Sequence, residues 1–133
     1  MTALDESVVE DASLEWLAQL GYERAYGPSL GPGEVAAERE SFDQVYLFGR
    51  LREAALRINP SIDAELIEEA IKRLLRAESQ SLVDENARVH KLLTDGVPVE
   101  YRAADGSVRT TSVRLIDFDT PANNDWLAVN QFT

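Results

Sequence analysis

Few side chains in this sequence have the types and spacing that chemistry requires. Asp117 and Asp119 would project from one face if they lie in a strand, and Asn123-Asn124-Asp125 follows with further oxygen donors of the kind a hard cation takes. The stretch lacks the glycine-containing spacing of an EF-hand loop. Asp and Asn also serve turns and caps, and the pattern favours that structural role. His90 is the single histidine, which excludes a multi-histidine metal site, and its neighbours place it on a helix surface. Lys72 and Lys91 do not follow the glycine-rich pattern that cradles a nucleotide phosphate. No Ser-His-Asp arrangement has support. The absence of cysteine removes disulfides, thiolate metal sites and cysteine nucleophiles.

Arginines offer another chemistry. Arg50, Arg52 and Arg57, with Lys72, Arg73 and Arg76, could assemble a basic strip for phosphates. The many nearby glutamates offer them salt bridges instead, and the sequence favours the salt bridges. Thirteen basic residues against 24 acidic ones give a net charge of −11, which repels free nucleic acid unless the cations gather on one face. With 133 residues, 44% of them hydrophobic and 28% charged, the chain is long enough for one domain with a real core. No run approaches the roughly 20 apolar residues that span a bilayer. The start, Met1-Thr2-Ala3-Leu4-Asp5-Glu6, lacks the basic region of a signal peptide. A cytoplasmic protein without membrane contact is expected.

The elements that must position these residues follow from periodicity. Residues 6–20 read as a helix stopped by Gly21, with Val9, Ala12, Trp16 and Leu20 on one stripe and Asp11, Glu15 and Gln19 opposite. Residues 22–26 suit a short strand before the Gly/Pro-rich loop 27–34. A second helix is predicted over residues 42–58, burying Phe48, Leu51, Ala55 and Ile58, and stopped by Asn59-Pro60. A third, capped by Ser61 or Asp63, turns Ile67, Ala70, Ile71 and Leu74 inward, with Glu68/Lys72 and Glu69/Arg73 paired outside. A fourth starts at Ser81, in a capping box with Asp84 in place of Glu, and ends at Gly96. The period then becomes alternating: Val97, Val99 and Tyr101 share a face, Asp105-Gly106 turns the chain, and residues 108–118 return. Residues 121–125 turn again, and residues 126–132 form a strand that runs to the end. The prediction is an α+β fold in a single domain over residues 1–133, helical over 1–96 and β-rich over 97–133, with a small, mostly antiparallel sheet. Ending in an apolar strand, it reads as a domain interrupted.

Several segments, in order, carry a resemblance. Gly96-Val97-Pro98-Val99-Glu100-Tyr101, Val113-Arg114-Leu115-Ile116-Asp117-Phe118-Asp119 and the run from Asn123 to Phe132 resemble the N-terminal region of restriction (R) subunits of type I restriction enzymes. Leu20-Gly21-Tyr22, Arg39-Glu40-Ser41-Phe42 and the helices around Leu51 and Leu74 agree with it. The resemblance implies the N-terminal part of a PD-(D/E)xK nuclease domain, followed in the family by ATP-driven motor domains that translocate DNA. It implies a parent enzyme that cleaves unmodified foreign double-stranded DNA with modification and specificity subunits, using Mg2+, ATP and S-adenosylmethionine.

The same resemblance implies one active-site residue here. Such nucleases often carry a glutamate on their first helix that helps hold a divalent metal, and Glu10, eleven residues before Gly21, matches that position. By helical angle Glu10 falls between Leu14 and Leu17, away from Asp11 and Glu15, so its carboxylate can sit at the edge of the packed face or simply reach water. The family's (D/E)xK pair is not found: Ala70 and Val89 stand two residues before the lysines. The 133 residues are therefore expected to lack nuclease and ATPase activity and to need no cofactor by themselves. The alternative is a stand-alone, non-catalytic protein that docks on or inhibits restriction subunits.

Overall fold

Asp5 opens the first helix by accepting the Val8 N–H on its carboxylate at 3.0 Å, the usual service of an aspartate at an N-cap. The computed structural model describes residues 5–132; residues 1–4 of the acidic N-terminal run, and Thr133, lie outside the described residues. These divide into two compact units, residues 5–48 with 125–132, and residues 49–124. Among them no helix is long and apolar enough to cross a membrane.

In the first unit, α1 (Glu6–Gln19) is followed by β1 (Glu23–Tyr26) and a 3-10 turn over Gly27–Leu30, and the chain returns as β4 (Leu127–Asn130). β1 and β4 pair in parallel, Glu23 opposite Leu127 and Tyr26 opposite Asn130. The tilted rings of Tyr22 and Trp126, 5.5 Å apart, close one end of the pair. The expected strand 126–132 is thus shorter and does not join an antiparallel sheet; it takes its partner from the predominantly helical N-terminal part.

Helix α1 corrects the predicted stripe. Trp16 is 66% and Leu20 77% exposed, and Val9 is exposed as well. The half-buried residues are Glu10, Ala12, Ser13, Leu14, Leu17 and Ala18; Ala12 keeps its predicted place, while Glu10, Ser13, Leu14 and Leu17 form a stripe of helical period turned by about one residue step of 100°. The helix has two competing apolar stripes, and its own period cannot choose between them. The turn after it does: Tyr22 N–H donates back to the Leu17 carbonyl at 3.0 Å, which brings β1 along the Leu14 and Leu17 side.

The predicted second helix also starts late. In the first unit, Arg39 donates through Nε to the Gln44 carbonyl at 2.8 Å and through Nη2 to the Phe42 carbonyl, while the Gln44 side chain accepts the Glu40 N–H. These bonds hold residues 40–46 in an irregular loop, and α2 runs only over Phe48–Ile58.

The second unit contains α3 (Ala64–Leu75), α4 (Leu82–Asp95) and the hairpin of β2 (Val97–Arg102) and β3 (Val108–Val113). Its core matches expectation: Ile67, Ala70, Ile71 and Leu74 of α3 are buried, as are Val97, Val99 and Val113, and α3 packs across the antiparallel hairpin. Ser81 caps α4. Gly96 leaves it with φ +86°, where a Cβ would collide with the Ser112 hydroxyl. The predicted return strand 108–118 ends at Val113. There the buried Asn59 takes the place of a neighbouring strand, accepting the Arg114 N–H at 2.9 Å and donating to the Arg114 carbonyl at 2.8 Å.

Two substitutions separate the packed faces from the open one. Ile71→Ala should cost about 2–5 kcal/mol in urea unfolding, as a buried large-to-small change does. Trp16→Gln should change stability by no more than about 0.5 kcal/mol, as exposed positions do. A large loss for Trp16→Gln would restore the predicted stripe.

Candidate functional site

The end of β4 and the packed side of α1 meet at Glu10. Gln131 Nε2 donates to both oxygens of the Glu10 carboxylate, at 2.9 and 3.2 Å, so an amide from the end of the chain holds a carboxylate near its start. Gln131 is the only described non-glycine residue at positive φ, +49°. That conformation is uncommon outside glycine and costs free energy unless its surroundings impose it. One cause lies beneath it. Gly27, buried after β1, lies so close to the carbonyls of Asn130 and Gln131 that any Cβ would overlap them. The next residue, Phe132, stacks under the buried Arg39 guanidinium, 4.2 Å from its ring centroid.

Glu6, Val9, Glu10, Gln131 and Phe132 line a shallow groove there. Chemically it offers two carboxylates, one amide and an apolar wall. A hard cation such as Mg2+ keeps several waters and is commonly held by one or two carboxylates. The donor set therefore fits part of a coordination sphere and falls short of a complete one. Among the described residues no three His, Cys, Asp or Glu side chains stand together to hold a metal ion.

Asp117 and Asp119 do not share a strand face. Asp117, 4% exposed, turns its carboxylate into the loop after β3. It accepts the backbone N–H groups of Asp119 and Thr120 and the Asn123 side-chain amide, at 2.9–3.1 Å. Asn124 clasps the other side, accepting Asp117 N–H and donating to Asp117 O. The carboxylate is consumed by the turn, and Asp119 points outward toward Arg114. Asn123 first, and then the Thr120 N–H, hold the Asp117 carboxyl below its ordinary pKa, against the opposing effect of burial.

The basic strip is also consumed in part by structure. Arg52 pairs with Glu68, Arg57 Nε donates to the Asn123 carbonyl at 2.8 Å, and Arg73 Nη1 donates to the Pro98 carbonyl at 2.7 Å. His90 is exposed on α4.

Glu10 is the sequence-predicted site residue, and it lies beside Leu14 and Leu17 as its helical angle implied. Gln131, Phe132, Arg39 and Gly27 were not singled out. The segments of Gln131, Phe132 and Arg39 belong to the resemblance and that of Gly27 does not, and nothing in local periodicity says that residues 39 and 132, or 10 and 131, meet.

The chain belongs to the family described as type I restriction enzyme R protein N terminus, whose model matches residues 3–133. It is 35% identical over 128 residues to the type I restriction enzyme HindI endonuclease subunit of Haemophilus influenzae. It is 31% identical over 128 residues to the MjaIXP endonuclease subunit of Methanocaldococcus jannaschii. Each match covers 96% of this chain and 12% of the relative; the chain thus spans about an eighth of the length of the relatives it matches. No solved structure matches it.

The Asp117 turn predicts an acid dependence. A carboxyl whose pKa is lowered by folding adds stability above its unfolded value, about 3.9 for aspartate, and loses it as pH falls through the folded value. Asp117→Asn should therefore lower the urea midpoint at pH 7 and flatten the fall in stability below about pH 4. An unchanged pH profile would show that the turn does not depend on the charge.

Proposed function

We propose that this chain is the N-terminal part of a type I restriction endonuclease (R) subunit and contributes one corner of a PD-(D/E)xK-type nuclease centre. The observation that carries this reading is the juxtaposition of Glu10 with Gln131 within a chain of that family. Glu10 would hold Mg2+, directly or through water, and Glu6 lines the same groove. When bound, the metal would supply Lewis-acid stabilisation and a lowered water pKa for phosphodiester hydrolysis. The work of this chain's residues is narrower. Gln131 fixes the direction of the Glu10 oxygens, and the partial burial of Glu10 limits the water that competes for them.

The remaining catalytic carboxylates and lysine would come from other parts of the full subunit, and ATP and S-adenosylmethionine would be bound elsewhere in the parent complex. The parent would cleave unmodified foreign double-stranded DNA after ATP-driven translocation, in the cytoplasm, with modification and specificity subunits. The net charge of −11 supports assigning most of the DNA grip to those other parts. Trp16 and Leu20, exposed on α1, support contact with further protein. Both relatives are endonuclease subunits, which favours this reading over a stand-alone interaction protein.

The test uses the complete subunit assembled with its partners. Glu10→Gln should reduce DNA cleavage about 10–100-fold, the usual loss for a group that supports a metal site, and leave ATP hydrolysis unchanged. The neighbouring Asp11→Asn should leave both activities intact. Full cleavage by the Glu10→Gln enzyme would overturn the assignment.

A further inference from the structure

Arg39 is only 4% exposed, and a guanidinium is rarely buried without a specific task. Its planar fork is divided between two distant parts of the first unit. It donates to the Gln44 and Phe42 carbonyls of its own loop, and its Cζ lies over the Phe132 ring, which follows the end of β4, at 4.2 Å from the centroid, nearer than the 5.8 Å to the Phe42 ring. Phe132 lines the groove beside Glu10, and the residue before it, Gln131, is the left-handed residue that donates to Glu10.

We infer that Arg39 is a positioning residue for the Glu10 carboxylate, acting through the Phe132 ring and the Gln131 side chain. The inference rests on reading Glu10 as the functional carboxylate. A left-handed non-glycine residue persists only where its surroundings hold it, and three contacts hold this one. Gly27 admits the carbonyls of Asn130 and Gln131 from below, Arg39 fixes Phe132 on one side, and Glu10 receives the amide on the other. Gly27 permits the bend without choosing where the side chains go. The stacking of Phe132 on Arg39 makes that choice, because a flat cation over a ring has a preferred face and distance. With the ring released, β4 can exit in ordinary extended geometry, and the Gln131 amide turns away from Glu10. A lysine keeps the charge and stem but has neither the fork nor the flat face.

A role confined to the loop would disturb residues 40–46 alone, so the readout must lie at residue 131. In the 15N-labelled chain, Glu10→Gln should displace the side-chain amide signals of Gln131. The same substitution made in Arg39→Lys and Phe132→Leu backgrounds should no longer move them, while the amide pattern of the 97–113 hairpin stays unchanged. Survival of the displacement in either background would overturn the relay. So would collapse of the first unit in Arg39→Lys, which would mark Arg39 as a core-forming residue and nothing more. A failure of Glu10 to support cleavage would leave this coupling in place, so the two readings fail separately.

Discussion

Glu23 and Leu127 face each other across a parallel ladder although about 100 residues separate them, and the first unit depends on that pairing. Closing an ideal loop of such length costs roughly 4 kcal/mol in chain entropy, and a two-stranded sheet alone is at best marginal in water. The cost is reduced because the intervening chain folds on itself. Residues 49–124 have their own core of α3 against the hairpin, and Arg57 binds the Asn123 carbonyl, tying the start of that unit to its end. The parallel pair is then supported by α1 along Leu14 and Leu17 and by the Tyr22 and Trp126 rings.

The candidate chemistry is a consequence of the same pairing. Bringing β4 beside β1 places Asn130 and Gln131 over Gly27, and only a residue without a side chain leaves room for them. The bend that follows directs Gln131 to Glu10 and Phe132 to Arg39. A carboxylate on a helix surface usually turns to water. Here Leu14 lies one turn along the helix, the carboxylate oxygens accept an amide, and the residue stays half-buried. Such a carboxylate is what the proposed metal-holding role asks of Glu10, in a chain of a family whose matched relatives are endonuclease subunits.

What was legible in the sequence was mostly local. The inward stripe of α3, the Ser81 cap, the Gly96 stop and the 97–113 hairpin each follow from signals within about a dozen residues, and each was found. The direction of Glu10 was legible too, because helical angle sets its neighbours whichever face packs. The facing side of α1 was not, since Trp16 and Leu20 are as apolar as Leu14 and Leu17 and only the tertiary partner decides between them. The early start assigned to α2 failed because Arg39 claims carbonyls that a helix would need. The long return strand failed because Asn59, 55 residues before Arg114, ends the ladder with a side chain. The parallel pairing of β1 with β4 has no local signature.

The proposed meeting of a hard divalent cation with the Glu10 groove is tested by adding Mn2+ to the 15N-labelled chain and following paramagnetic broadening. The signals of Glu10 and of the Gln131 side chain should broaden first, and Glu10→Gln should remove the effect. Earliest broadening at Asp117 and Asp119, or broadening at residues 10 and 131 that survives Glu10→Gln, would contradict the proposal.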